Sequence, residues 1–162
     1  GLSALLLVSI VAALATTAYV IAVPKEGEHF TEFYILGPGG KAADYPTDFP
    51  AGATRSLIIG VGNHEYREIP YTVEAFALNQ TFDTTTNTST IHAVERLDRF
   101  VVTVPHNETE EIPWEFAVPS AAYNRIEFLL FNETVPGEDI TGQDRINASY
   151  RDLHLWVRVR PA

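Results

Sequence analysis

The chain has 162 residues, 46% of them hydrophobic, with no cysteine and a net charge of −10. The absence of cysteine excludes a disulfide scaffold and all thiolate chemistry, redox or metal-binding, so the fold must be held by packing. With two lysines and nine scattered arginines, nucleic acid is excluded as a partner, because phosphate recognition needs clustered positive charge.

Residues 1–23 (GLSALLLVSIVAALATTAYVIAV) carry no charged side chain, and the first charge is Lys25. As a helix rising about 1.5 Å per residue, the segment reaches about 34 Å, enough to cross the ~30 Å hydrocarbon core of a bilayer. It lacks the basic start and short apolar stretch of a cleavable signal peptide, so it is expected to be retained. Such a helix has two comfortable environments, lipid or the centre of a bundle of its own kind. The bulky side chains available for bundling are Leu5, Leu6, Leu7, Ile10, Leu14 and Val20. Ala12, Ala13, Ala15 and Ala18 are small enough to let neighbouring helices approach closely.

Residues 24–162 form a second domain, joined to the first by the short Pro24-Lys25-Glu26-Gly27 junction. From Glu28 the pattern alternates with a period of two between turn residues, which predicts strands. The first strand is expected over residues 30–36, ended by Gly37-Pro38-Gly39-Gly40. After a Pro-, Asp- and Gly-rich loop, residues 55–61 place Leu57, Ile59 and Val61 on one face, and Asn63-His64-Glu65 leads to a strand over 71–78. A Thr-rich tip loop is expected over 81–90, then one long bent strand or two over 91–95 and 99–104. Trp114, Phe116 and Val118 alternate inward, as do Ile126, Phe128 and Leu130. Leu153, Leu155, Val157 and Val159 close the chain against polar His154, Arg158 and Arg160. No stretch beyond residue 24 reads as helical. The fold class is therefore mainly β: an N-terminal hydrophobic α-helix followed by an immunoglobulin-like antiparallel β-sandwich of about seven strands.

Five Asn-x-Ser/Thr sequons start at Asn79, Asn87, Asn107, Asn132 and Asn147, and they take five of the seven asparagines. Chance would place about one asparagine in such a context. A Thr-rich β protein throws up sequons freely, but this density points to N-linked glycans on an extracytoplasmic surface. All five are expected in loops or just past strand ends, where a sugar has room.

Catalytic patterns are missing. His29, His64, His92, His106 and His154 show no metal-ligand spacing. Gly37-Pro38-Gly39-Gly40-Lys41 has glycines and a lysine but not the spacing or the following Ser/Thr of a phosphate loop, and it reads as a turn. Glu138, Asp139 and Asp144 lie in one loop around Gly137 and Gly142 without the spacing of a calcium loop, so a solvated loop is the expectation. Asn63-His64-Glu65-Tyr66 is the strongest polar cluster, with Asn63 and Glu65 expected to fix a turn. No catalytic residue, cofactor or metal is expected, and the function is not enzymatic.

Several stretches resemble the archaeal family called domain of unknown function 1616. They are Pro24-Lys25-Glu26-Gly27, Phe30-Thr31-Glu32-Phe33-Tyr34-Ile35-Leu36-Gly37, Ala43-Asp44-Tyr45-Pro46-Thr47, Gly60-Val61-Gly62-Asn63-His64-Glu65-Tyr66, Leu97-Asp98-Arg99-Phe100 and Leu153-His154-Leu155-Trp156-Val157. The resemblance implies a membrane-associated protein with an exterior β domain and no established biochemical role. Gly1-Leu2-Ser3-Ala4-Leu5, leading into an apolar helix with a β domain behind it, is similar to archaeal type IV pilins, which implies polymerisation through bundled helices. Leu5 stands where bacterial pilins carry an acidic residue, one that archaeal pilins commonly lack. The expectation is a structural subunit of an archaeal extracellular filament, inserted in the membrane before assembly and partnered by copies of itself. The alternative is a single-pass, membrane-anchored cell-surface domain that binds a partner or the cell envelope.

Overall fold

The structure, a computed structural model, describes residues 28–162. The helix expected over residues 1–23, with Leu5, Leu6, Leu7, Ile10, Ala12, Ala13, Leu14, Ala15, Ala18 and Val20, lies outside the described residues. Among the described residues no helix is long and apolar enough to cross a membrane.

The described chain is mainly β. Its strands are β1 (Phe30–Leu36), β2 (Asp48–Pro50), β3 (Arg55–His64), β4 (Ile69–Asp83), β5 (Thr88–Val104), β6 (Thr109–Phe116), β7 (Arg125–Asn132), β8 (Arg151–Trp156) and β9 (Arg158–Arg160), with one helix, α1 (Gly142–Ala148). One sheet has the order β1-β3-β6 and a second β5-β4-β7-β8. Seven strands in these two sheets match the expected number. The short β2 and β9 add a parallel pair in register Phe49↔Val159, which the sequence reading missed.

The two sheets face each other across one apolar layer, making a β-sandwich. Leu57, Ile59, Val61, Trp114 and Phe116 of the three-stranded sheet are buried against Tyr71, Val73, Ala75, Ile126, Phe128 and Leu130 of the four-stranded one. The inward phase read from alternation is thus the observed one. Val118, Val157 and Val159 join this layer, and Leu153 and Leu155 pack half-buried at its margin. Trp114 stacks on Phe116 with centroids 4.9 Å apart and meets Phe128 edge-on at 5.5 Å. Its indole N–H donates to Asp98 Oδ2 at 2.8 Å, which satisfies the one polar group of a buried ring. On the far side of the three-stranded sheet the ring of Tyr34 lies directly on Gly60, leaving no room for a Cβ there.

Two expectations are corrected. The Thr-rich stretch 81–90 is mostly strand, not loop: β4 and β5 pair out to Asp83↔Thr88, and only residues 84–87 turn. Threonine is polar but β-branched, so it extends a hairpin into solvent readily. The turn is closed by Asp83, whose Oδ1 accepts the Thr85 N–H at 2.8 Å, and by Asn87 at φ 56°. Of the two alternatives for residues 91–104, the structure has the one long strand, bent by two bulges. Leu97 is extra between Arg96↔Phe76 and Asp98↔Ala75, and His92 is extra between Ile91↔Gln80 and Ala93↔Asn79. Finally, α1 is a helix in a region read as loop. It lies over the outer face of the four-stranded sheet, where Ile146 packs with Val135 on Phe76, Leu78, Leu129 and Phe131. Strand β4 is therefore buried on both faces, although its sheet is antiparallel.

Candidate functional site

The sequons divide by environment. Asn87 and Asn107 sit exposed at turn tips with φ 56° and 65°, left-handed conformations that asparagine tolerates. Asn147 is exposed but lies on α1, where its Oδ1 accepts from Gln143 Nε2 at 2.9 Å. Asn132 is the half-buried last residue of β7. Asn79 departs from expectation: it is half-buried inside β4, paired with Ala93.

Asn63 does fix a turn, and more thoroughly than expected. Fully buried, it donates through Nδ2 to the carbonyls of Arg67 and Val104, each at 2.7 Å, and accepts the Glu65 N–H at 2.8 Å. Its backbone holds the neighbouring turn through Glu108 O and Asn107 N, at 2.9 and 2.6 Å. Glu65 is bonded by Tyr150 OH at 2.5 Å and by Thr31 Oγ1 at 2.7 Å. This cluster ties β1, β3 and the segment before β8 together, and its polar groups are spent on structure.

The histidines are dispersed: His64 on β3 lies 3.4 Å from Glu32, His92 on β5 meets Thr81 Oγ1 at 2.7 Å, and His106 stacks on Tyr66. His29 precedes β1, and His154 lies on β8, where burial and Arg125 hold its imidazole below its usual pKa. The glycine-rich segment is a turn, closed by the Gly37 N–H on Lys41 O at 2.8 Å.

The outer face of the four-stranded sheet carries the densest ionic cluster among the described residues. Glu74 on β4 has no exposed surface. The Arg145 guanidinium grips it bidentately, Nε to Oε1 at 2.7 Å and Nη2 to Oε2 at 2.8 Å, and Nη1 donates to Gly137 O and Ile140 O, both at 2.9 Å. The pair fastens the 137–148 segment to the sheet. Arg99 and Arg96 stand 3.6 and 3.9 Å from the same carboxylate. Residues three apart on a regular strand point to opposite faces, but the bulge at Leu97 sets Arg96 opposite Phe76 and Arg99 opposite Glu74, both outward. Glu138, in an exposed loop as expected, bridges the two arginines at 3.1 and 3.3 Å, and the Arg96 hydrogen bond holds its carboxyl below the usual range. The other expected acidic loop residues separate from it: Asp144 lies in the first turn of α1, and Asp139 turns back towards Gly137.

Beside this cluster, Glu127 on β7 is fully buried. Burial, and after it the neighbouring Asp152 carboxylate, raise its pKa to about 8 despite Arg125, which bonds Oε2 at 2.8 Å. Its Oε1 is buried without a hydrogen-bond partner. Glu74 and Glu127 were missed in the sequence, although each interrupts an otherwise apolar strand, and that interruption is the signal that finds them. The arginines had no signal, since a bulge leaves no local pattern.

Structures similar to this chain include the CARDB domain of a Pyrococcus furiosus protein in complex with di-metal ions, at 12% identity and TM-score 0.47, covering 83% of this chain and 96% of that one. The sporulation control protein Spo0M of Bacillus subtilis matches at 10% identity and TM-score 0.44, covering 84% of this chain and 51% of that one. A β-glucosidase from Listeria innocua matches at 10% and 0.47, over 82% of this chain and only 16% of the enzyme. At these scores no activity is carried over. No curated protein matches the chain. Residues 24–158 match the family described as Domain of unknown function (DUF1616).

Proposed function

The chain belongs to the DUF1616 family, whose description assigns no activity, and we propose that it is the structural subunit of an archaeal extracellular filament. In this reading the helix of residues 1–23 inserts in the membrane, then bundles with its copies, while an immunoglobulin-like sandwich faces outward with N-linked glycans. The observation that carries it is the uncharged 23-residue segment standing directly before a cysteine-free domain with exposed sequons at Asn87, Asn107 and Asn147. Packing, not a hydrophobic force, holds helices together in apolar surroundings, and Ala12, Ala13, Ala15 and Ala18 supply the small contacts it needs. The function is non-enzymatic.

The uncharged segment of residues 1–23 suits a plain anchor equally, which supports a second reading, a single-pass anchor that holds the same domain at the cell surface. Sedimentation of native material after mild detergent separates the two. A filament stays in the high-speed pellet as a polymer of this chain; release of the chain as a small detergent-bound particle overturns the filament in favour of the anchor.

A further inference from the structure

The cleft between the outer face of β4–β5 and the 137–146 segment has features that neither the filament nor the anchor uses. Its volume is about 400 Å³, and it is lined by Phe76, Val94, Arg96, Glu138, Ile140 and Arg145 among others. That size and that mixture of apolar wall with a few charged groups are those of a small-molecule site. Two guanidiniums, Arg96 and Arg145, line the cleft, and a third, Arg99, stands beside it 3.3 Å from Glu138; the three are not equivalent. Arg145 is buried and fully committed to Glu74 and to backbone carbonyls. Arg96 and Arg99 are 37% and 40% exposed; the buried Glu74 carboxylate lies behind them at 3.9 and 3.6 Å, and the exposed group that joins them is Glu138, itself 68% exposed. An exposed ion pair contributes little, so that carboxylate exchanges readily with another. The planar guanidinium fork suits a carboxylate in particular.

We propose that this cleft binds a small organic carboxylate, its carboxylate taken by Arg96 and Arg99 in the place Glu138 now occupies, its body lying on Phe76, Val94 and Ile140. A second feature points the same way. A small adjoining space of about 10 Å³, which shares Phe76, Val94, Gly142 and Arg145 with the cleft, is walled by Glu127. Its buried, unpartnered Oε1 is a polar group awaiting a hydroxyl or an ordered water, since such an atom is costly to leave unpaired. A hydroxylated carboxylate of sugar size, such as a uronic acid, satisfies both features. Glu138 is then an internal competitor, and its loop position lets it swing clear. The inference does not depend on the filament reading.

The test is calorimetric titration of the full chain at low ionic strength with sodium glucuronate, with glucose and sodium sulfate as the neutral and inorganic arms. Glucuronate is expected to bind one to one, glucose not at all, and sulfate more weakly. Glu138→Gln removes the competitor and should tighten glucuronate binding about fivefold, the factor an exposed ion pair supplies. Arg96→Gln with Arg99→Gln should abolish it while the thermal transition remains. Failure of glucuronate to bind Glu138→Gln overturns the proposal, as does undiminished binding to the folded arginine variant. Sulfate binding as tight as glucuronate would reduce the cleft to an unselective anion patch and equally overturn the carboxylate assignment. If the arginine variant does not fold, the comparison of Glu138→Gln with the parent decides alone.

Discussion

Replacing Arg145 by Leu tests whether the buried ion pair is what holds the 137–148 segment on the sheet. The substitution removes both hydrogen bonds to Glu74, at 2.7 and 2.8 Å, and the donor to Gly137 O and Ile140 O. Glu74, with no exposed surface, keeps only Arg99 and Arg96 at 3.6 and 3.9 Å, beyond direct hydrogen-bond range. Stranding one partner of a buried pair costs about 3–5 kcal/mol, far more than the pair's net contribution, because the remaining charge is desolvated without compensation. For a domain of this size each kcal/mol shifts the melting temperature by about 4 °C, so a fall of roughly 12–20 °C is expected. The assay is urea unfolding of the full chain followed by tryptophan fluorescence, reading a lower midpoint at unchanged slope. The double variant Glu74→Leu, Arg145→Leu should recover most of the loss, since an apolar pair of similar volume is tolerated where half an ion pair is not. A loss below about 1 kcal/mol for the single variant, or a double variant no better than the single, would refute this account of the pair.

Truncating Phe128, which has no exposed surface and meets Trp114 edge-on, to Ala should cost about 3–5 kcal/mol by the same denaturation assay. Glu127, whose pKa rises from 4.5 to about 8 in the folded chain, keeps its proton when the unfolded chain has lost it; its share of stability is fully present below pH 4.5 and is lost as pH rises through about 8. Glu127→Gln should therefore flatten the decline in that window, and an unchanged pH profile would show that Asp152 and Arg125 do not hold the carboxyl as described. Intact mass should exceed the 17.9 kDa of the bare chain, with peptide mapping finding glycan at the exposed turn asparagines Asn87 and Asn107 and none at Asn79 within β4.

The parts of the fold legible in the sequence were those with a period. β1 falls on Phe30–Leu36 as read, and the inward sets Leu57/Ile59/Val61, Trp114/Phe116/Val118 and Ile126/Phe128/Leu130 are all buried. Alternation is a property of every residue in a half-buried strand, so it survives errors at the ends. What lacked a period was missed. β2 and β9 have three residues each and owe their existence to pairing with one another. α1 spans seven residues, GQDRINA, too few for a helical stripe, and its buried anchor is an arginine where a helical pattern predicts a hydrophobe. The ionic cluster was the least visible, because it depends on Leu97 being an extra residue in β5, and a bulge is decided by the partner strand. Asn63 was legible as a turn-former because its role is local.

Electron microscopy of native material tests the central proposal most directly. The account predicts ordered filaments of this chain, with the apolar segments of residues 1–23 meeting along the axis, the sandwiches outside, and Asn87, Asn107 and Asn147 clear of subunit contacts. Isolated particles with a single span in a detergent belt, or these asparagines buried between subunits, would contradict it.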